Sequence, residues 1–222
     1  MQKNGAGPEM AENNTAYRIV TQAGSAGIEE KKSRFIADVF PVRSVPDAEA
    51  RISEVTRKYW DAKHHCYAYI IGSRSEVSRC SDNGEPSGTA GKPILEVLSG
   101  EQLTDSLIVV TRYFGGVLLG TGGLVRAYTQ AAQAGIAAAQ KGRMVYGQKL
   151  TIQVAYNLVN PVQYYLKQEE IEIKEQRYTE NVEYDITVME DRREQIIQEL
   201  TQRTDARAVI IPGDRGYYEI IE

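Results

Sequence analysis

The sequence predicts an α+β fold with two domains of unequal size. Three observations lead to this prediction: strand-like segments with alternating apolar residues, segments whose apolar residues recur every three or four positions, and a β-α-β-β-α-β order in the last third. The 222 residues suit one large or two small domains, and a 42% hydrophobic content is that of a globular chain. We expect a disordered tail over 1–16, a first domain over 17–141, a linker over 142–147 and a second domain over 148–222.

Two strands and an amphipathic helix open the first domain. Tyr17–Ala23 has the pattern of a strand, and Ser33–Phe40 follows because its apolar residues largely alternate with polar ones. A helix begins near Pro46, since the apolar residues after it recur on one face. Those residues are Ala48, Ile52, Val55 and Tyr59.

The rest of the first domain alternates strands, loops and helices. Its last helix is rich in alanine, which favours the helix and lets it lie close to a sheet. The predicted segments are a strand Cys66–Ile71, a polar loop Ser78–Thr89, a short helix Pro93–Leu98, a buried strand Leu107–Val110, a glycine-rich loop Phe114–Gly123 and a helix from Leu124 to about Lys141.

The second domain shows the pattern of a split β-α-β sandwich of the ferredoxin-like type. Asn160 followed by Pro161 predicts a helix N-cap, and Asp191 with Glu194 has the spacing of a capping box. A last strand lies within Ala206–Ile221, but Pro212 splits this stretch and leaves open which half pairs. The strands before it are Leu150–Val154 and a hairpin of Ile171–Thr179 with Val182–Met189.

Charge and composition exclude several classes of protein. The net charge is −4, but residues 1–141 carry +1 and residues 142–222 carry −5, so an anion-binding site is expected in the first domain. The longest apolar run, Leu107–Leu119, is too short for a membrane helix, and the N-terminus lacks the apolar region of a secretory signal. Two cysteines are too few for a disulfide scaffold. We therefore expect a cytoplasmic protein that does not bind membranes.

The strongest local feature is the glycine-rich segment between the buried strand and the alanine-rich helix. Glycines let backbone N–H groups approach an anion, and the helix N-terminus adds further donors. Arg112, Arg126 and the more distant Lys92 would contribute charge, and Tyr113 would stack on a base. Neither the Walker A nor the dinucleotide-binding spacing is complete, and the alternative is that the glycines serve only a tight turn and close helix packing. The glycines are Gly115, Gly116, Gly120, Gly122 and Gly123.

The polar loop before the short helix is predicted to be a recognition loop. It holds Asp82, Asn83, Glu85 and Thr89, which are also common turn residues, and it lacks the ligand pattern of an EF-hand. The adjacent His64 and His65 would point to opposite faces of a strand, so they cannot jointly bind one metal. The sequence predicts no catalytic residue, no metal and no cofactor.

Four segments in order closely resemble the YigZ/IMPACT family over about half the chain: His64–Ala68, Ser81–Gly91, Thr111–Gly116 and Leu119–Tyr128. The resemblance implies a first domain like the second domain of ribosomal protein S5 and a ferredoxin-like second domain. That pair is similar to two consecutive domains of elongation factor G, which implies a role near RNA or the ribosome. Eukaryotic relatives restrain a starvation-sensing kinase pathway through an additional N-terminal domain; the 16-residue tail is too short for such a domain, so we expect that this role does not carry over.

Three functions follow from these observations. The first is a non-catalytic regulatory protein that binds RNA, the ribosome or another translation component through an anion-binding glycine-rich loop. The second is an enzyme acting on a phosphorylated small molecule or nucleotide, with Asp82 or Glu85 as base or magnesium ligand. The third is a protein-binding scaffold. We predict the first, in a chain that is a monomer or a weak homo-oligomer.

Overall fold

The computed structural model of this protein describes residues 16–221, so that residues 1–15 of the predicted tail lie outside the described residues. These residues form five α-helices and two sheets, which confirms the α+β class. The strands are β1 Tyr17–Gln22, β2 Gly24–Glu30, β3 Ser33–Pro41, β4 His64–Ile71, β5 Val77–Ser81, β6 Leu103–Thr104, β7 Ser106–Tyr113, β8 Gln140–Val154, β9 Ile173–Tyr178, β10 Val182–Met189 and β11 Val209–Ile221. The helices are α1 Val45–Lys58, α2 Gly91–Gly100, α3 Gly120–Ala138, α4 Val159–Gln168 and α5 Arg193–Arg203.

The chain divides into two compact units. The first comprises Tyr17–Met144 with the residues from Glu219 onward, and the second comprises Val145–Tyr218. In the first unit, an antiparallel five-stranded sheet has the order β2-β3-β7-β4-β5. Buried residues of β7 alternate between two cores: Ile108 and Val110 pack with α2 and α3, while Leu107 and Val109 pack with α1.

Helix α1 follows the sequence prediction closely. The hydroxyl of Ser44 accepts a hydrogen bond from the backbone N–H of Asp47, and Pro46 occupies the first turn. Ala48 and Val55 are buried, and Ile52 and Tyr59 are partly buried against the same core. The apolar face predicted from the three- and four-residue spacing is therefore confirmed.

Helix α3 begins four residues earlier than predicted, at Gly120, and lies very close to the sheet. A Cβ atom added to Gly135 would lie 2.8 Å from the Cβ of Ala37, so only glycine fits there. Likewise, a Cβ at Gly24 in β2 would lie 2.6 Å from the backbone oxygen of Ala138. The small residues of α3 thus permit the close packing that the sequence indicated.

The predicted linker over 142–147 is instead part of the continuous strand β8. The two glycines that suggested a linker lie where neighbouring strands approach closely. A Cβ atom added to Gly142 would lie 2.3 Å from the backbone oxygen of Ile220. A Cβ atom added to Gly147 would lie 2.3 Å from the backbone oxygen of Val188. Close strand packing, and not chain flexibility, explains these glycines.

The second unit packs α4 and α5 on strands β8 to β11, with β11 and β10 on either side of β8 and β9 beyond β10. β11 is continuous through Pro212, because it pairs with β8 alone and an edge strand tolerates proline. Neither predicted cap forms: α4 is capped by Leu158 rather than Asn160, and α5 by Arg192 rather than Asp191. None of the helices described over residues 16–221 is long and apolar enough to cross a membrane.

Candidate functional site

A short loop over 114–119 connects β7 to α3 and lies against the turn between β2 and β3. The backbone N–H of Gly115 donates a hydrogen bond to the hydroxyl of Ser33 at 3.2 Å. A Cβ atom on Gly115 would lie 2.0 Å from the carbonyl carbon of Lys32, so this contact requires glycine. Gly116 and Gly120 have φ angles of +84° and +70°, which glycine adopts without strain. The glycines therefore shape the loop and fix its position.

The N-terminus of α3 presents backbone N–H groups beside an exposed guanidinium. Its N-cap residue is Leu119, whose side chain has no oxygen to accept hydrogen bonds from the first turn. Gly122 is exposed in that turn and Arg126 in the next one, and Arg126 lines a pocket together with Lys31 and Glu30. The helix dipole and these cations favour an anion here, although Glu30 opposes it.

Exposed cations and apolar side chains of the β2–β3 turn, the loop over 114–119 and α3 together form what we call the loop surface. Lys31 and Lys32 are exposed in the β2–β3 turn, both with positive φ angles. The side chains of Phe114, Val117 and Leu118 project from the loop, and Leu118 is 84% exposed. The loop surface consists of Lys31, Lys32, Phe114, Val117, Leu118 and Arg126.

The structure places Arg112 inside the domain and not on this surface. Its side chain is 7% exposed, and its Nη1 donates to Oε1 of Glu85 at 2.6 Å. Its Nη2 donates to the hydroxyl of Ser33, and its guanidinium carbon lies 5.4 Å and 5.6 Å from the ring centres of Phe35 and Phe114. The expectation that Arg112 binds phosphate directly is corrected accordingly: its charge is compensated by Glu85, and it supports the loop from below.

Glu85 belongs to a buried polar cluster and not to an exposed recognition surface. Its carboxylate also accepts the hydroxyl of Tyr128 at 2.8 Å, and Tyr128 lies 3.3 Å from Sγ of Cys66. The Cys66 thiol donates to the backbone oxygen of Asp82 at 2.9 Å. Burial raises the pKa of Cys66 to about 12 and also raises that of Tyr128. This cluster joins β4, β7, α3 and the loop before α2.

The remaining predicted recognition residues also make contacts within the domain. Asp82 accepts backbone N–H bonds from Gly88, Ala90 and Gly91 at 2.8 to 2.9 Å. Burial acts to raise its pKa, but these three donors hold the pKa below its ordinary value. Asn83 accepts the N–H of His65 at 2.7 Å. Asp82 and Asn83 therefore organise the loop and the start of α2.

Thr89 is likewise buried, and its hydroxyl donates to the backbone oxygen of Pro86 at 2.7 Å. The other two predicted binding residues differ in exposure. Lys92 is 71% exposed on α2, with only a long contact of 3.9 Å to Glu96. The hydroxyl of Tyr113 donates to Asp61 at 2.7 Å, which raises the pKa of Tyr113.

The histidine pair forms hydrogen bonds within the fold. Nδ1 of His64 lies 3.0 Å from the backbone oxygen of Asn83, and Nδ1 of His65 lies 3.1 Å from the hydroxyl of Thr111. Desolvation lowers the pKa of His65. Over the described residues, no three His, Cys, Asp or Glu side chains could together hold a metal ion.

Sequence reasoning missed Lys31, Lys32 and the exposed apolar residues of the loop. Two adjacent lysines between strand-like segments were a usable signal, since a hairpin turn exposes both side chains. The exposure of Leu118 could not be read from the sequence, because the apolar run Leu107–Leu119 continues from a buried strand without a change in composition.

Comparison with known proteins identifies two matching families. Residues 31–136 match the Impact N-terminal domain, and residues 152–207 match a domain of unknown function, DUF1949. The chain is 35% identical over 204 residues to IMPACT family member YvyE of Bacillus subtilis, a match that covers 92% of this chain and 94% of that protein.

Shorter matches connect the chain to more distant relatives. IMPACT family member YigZ of Escherichia coli is 44% identical over 113 residues, covering 50% of this chain and 55% of that protein. Protein IMPACT of Xenopus laevis is 33% identical over 98 residues, covering 42% of this chain and 31% of the other. A crystal structure described as that of a hypothetical protein is 30% identical, with a TM-score of 0.58, and covers 90% of this chain and 98% of the other.

Proposed function

Because the chain belongs to the IMPACT family, we propose that it is a non-catalytic regulatory protein that binds RNA or the ribosome through the loop surface. The observation that carries this proposal is the exposed N-terminus of α3 beside Arg126 and the two lysines of the β2–β3 turn. Backbone N–H groups at a helix N-terminus and flexible cations are the groups that position RNA phosphates.

The charge distribution supports a local binding site. The chain as a whole is acidic, with a net charge of −4, so nonspecific attraction of RNA over its whole surface is excluded. The loop surface brings three cations, Lys31, Lys32 and Arg126, close to one short loop, and Glu30 lines the pocket there as an opposing charge. A partner with closely spaced phosphates matches such an arrangement.

The buried cluster argues against the enzyme hypothesis. Glu85 is already bound by Arg112 and Tyr128, and Asp82 by three backbone N–H groups. A general base or a magnesium ligand needs lone pairs that can reach a substrate, whereas both oxygens of Asp82 accept backbone N–H bonds and the Glu85 side chain is only 4% exposed. The geometry therefore favours binding over catalysis.

The topology supports a role at the ribosome. The second unit has the element order β-α-β-β-α-β with β11 and β10 flanking β8, as a ferredoxin-like domain has. We assign the first unit to the S5-like type implied by the family resemblance. The same pair of domain types occurs in elongation factor G, and this likeness, together with the loop surface, makes RNA of the translation machinery the partner that we propose.

Co-sedimentation of the full chain with ribosomes over a range of salt concentrations tests the proposal. We expect binding that weakens steeply with salt, because each neutralised phosphate releases about one counterion. The variant Lys31→Gln, Lys32→Gln, Arg126→Gln removes three exposed charges but keeps side chains of similar length. It should bind more weakly, with a salt slope smaller by about two to three.

A matched variant in the second unit controls for the loss of three positive charges. Lys174, Arg203 and Arg207 are exposed there, and their replacement by Gln should leave the salt slope almost unchanged. If the two triple variants change the salt slope equally, or if the loop-surface variant leaves the slope unchanged, the loop surface is not the binding site. A thermal-shift screen with nucleotides and sugar phosphates tests the enzyme alternative, for which one metabolite should stabilise the chain specifically.

A further inference from the structure

Trp60 is the chain's only tryptophan, and its side chain is 81% exposed. Tryptophan is highly buried on average, so an isolated exposed indole is unusual. The backbone around it is ordered by hydrogen bonds: the N–H of Tyr59 donates to the oxygen of Val55 at 3.0 Å, and the N–H of Ala62 donates to that of Tyr59 at 3.0 Å. A rigid turn therefore presents the indole to solvent.

Positive charges surround this turn. Arg57, Lys58 and Lys63 are exposed within three residues of Trp60, and Asp61 is the one acidic residue among them. The carboxylate of Asp61 is already bound by the hydroxyl of Tyr113 at 2.7 Å. Lys58 is partly neutralised by Asp38 at 3.1 Å, which leaves Arg57 and Lys63 as the cations nearest to Trp60 in sequence.

The contact between Asp61 and Tyr113 connects this turn to the loop surface. Tyr113 ends β7, and the loop over 114–119 follows it directly. Arg34 is exposed on β3 opposite Tyr113, two residues after Lys32. Tyr113 therefore connects the loop to the turn that carries Trp60, with the exposed Arg34 beside it, all within the first unit.

We propose that Trp60 stacks on an unpaired base of the bound RNA, with Arg57, Lys63 and Arg34 contacting the adjoining phosphates. This inference rests on the proposed function and assigns it a class of ligand: RNA with a single-stranded segment. A single strand alternates bases and phosphates, which matches an aromatic ring placed between cations. In a duplex the bases stack on each other, so their faces are not available to the indole.

Trp60 itself reports on the interaction, because it is the only indole in the chain. The experiment titrates the full chain with a short RNA of mixed sequence, and separately with the same RNA annealed to its complement, under selective tryptophan excitation. The single strand should quench the fluorescence, and the duplex should not. Trp60→Ala should weaken single-strand binding about tenfold, the loss expected for one stacked base. Because the side chain is exposed, the variant should fold normally.

Tyr178→Ala is the matched control, since this ring is 67% exposed in the second unit and should not affect binding. Several outcomes overturn the inference: bound RNA without quenching, equal weakening of single-strand and duplex binding by Trp60→Ala, or quenching by an acidic protein in place of RNA. If RNA binding depends on the cations of the loop surface, but the fluorescence of Trp60 is not quenched and Trp60→Ala does not weaken binding, the proposed function stands and this inference fails. If the chain binds neither RNA and does not co-sediment with ribosomes at any salt concentration, both fail.

Discussion

Nη1 of Arg112 donates to Oε1 of Glu85 at 2.6 Å, and the two side chains are only 7% and 4% exposed. This buried ion pair joins strand β7 to the loop before α2, and its two residues lie 27 positions apart in the sequence. Arg112 also lies beneath Phe114, the first residue of the loop that leads to α3. The pair therefore links the predicted recognition loop to the loop surface without contacting a ligand itself.

Removing one member of this pair should destabilise the chain strongly. Arg112→Ala leaves the Glu85 carboxylate buried without its partner, which should lower the free energy of unfolding by about 3–5 kcal/mol. Urea denaturation followed by circular dichroism measures the change. The double variant Arg112→Met, Glu85→Gln should recover part of the loss, because no buried charge remains. An exposed ion pair would give a loss below about 1 kcal/mol for Arg112→Ala. Such a small loss would contradict the burial of Arg112 and Glu85.

Asp82 should make stability depend on pH in the acid range. Its folded-state pKa lies below its ordinary value of 3.8, so its contribution is fully present above pH 3.8 and is lost as the pH falls through the lower folded-state value. Asp82→Ala should cost about 2 kcal/mol at neutral pH, because a charged acceptor of backbone N–H bonds is removed.

Urea denaturation at neutral and acidic pH measures both effects, with Asp82→Asn as the comparison. The amide does not titrate, so this variant should lose less stability than the native chain on acidification. The same acid dependence in both proteins would show that Asp82 is not the group responsible.

Glycine is required at position 115 for a steric reason. Gly115→Ala would place a Cβ atom 2.0 Å from the backbone of Lys32, so the loop must move away from the β2–β3 turn. We expect a loss of about 1–3 kcal/mol in stability and weaker RNA binding. Gly100→Ala is the control, because nothing lies within 4 Å of its added Cβ atom. Thermal denaturation and the co-sedimentation assay compare the two, and equal behaviour would refute the close contact.

The two cysteines should differ sharply in reactivity towards thiol reagents at neutral pH. Cys66 is buried and its pKa is about 12, so almost none of it is thiolate; partial burial and Asp82 also raise the pKa of Cys80, but this thiol is exposed and reagents can reach it. A colorimetric thiol titration should detect about one fast thiol in the native chain and two after denaturation. Cys80→Ser should abolish the fast reaction. Rapid labelling of native Cys80→Ser would mean that Cys66 is accessible.

The sequence was sufficient to predict local structure where the spacing of apolar residues determines which face of an element is buried. The face of α1 that contains Ala48 and Val55 was predicted correctly, because three- and four-residue spacing places them together. The same logic could have located Arg112: alternation along β7 puts it on the face of Ile108 and Val110, which is buried. A charged residue is expected on the surface unless it has a buried partner. The partner of Arg112 is Glu85, which is too distant in sequence for the pair to be predicted.

Glycine was the residue type that the sequence left most ambiguous. Gly142 and Gly147 suggested a flexible linker but lie in a closely packed strand, while Gly116 and Gly120 do adopt positive φ angles. The same residue serves both roles, and only the neighbouring backbone decides between them. The strand β2 was missed for a related reason, since its sequence from Gly24 to Glu30 has two glycines and only two alternating apolar residues, Ala26 and Ile28.

Hydrogen–deuterium exchange of the full chain, with and without bound ribosomes, locates the contact on the chain and so tests whether the loop surface binds RNA. We expect slower exchange in peptides that cover residues 30–34 and 113–126. If Trp60 stacks on a base of the bound RNA, exchange should also be slower over residues 57–63. Protection confined to the second unit, over 145–218, or no protection under conditions in which the chain co-sediments, would contradict the proposal that the loop surface binds RNA.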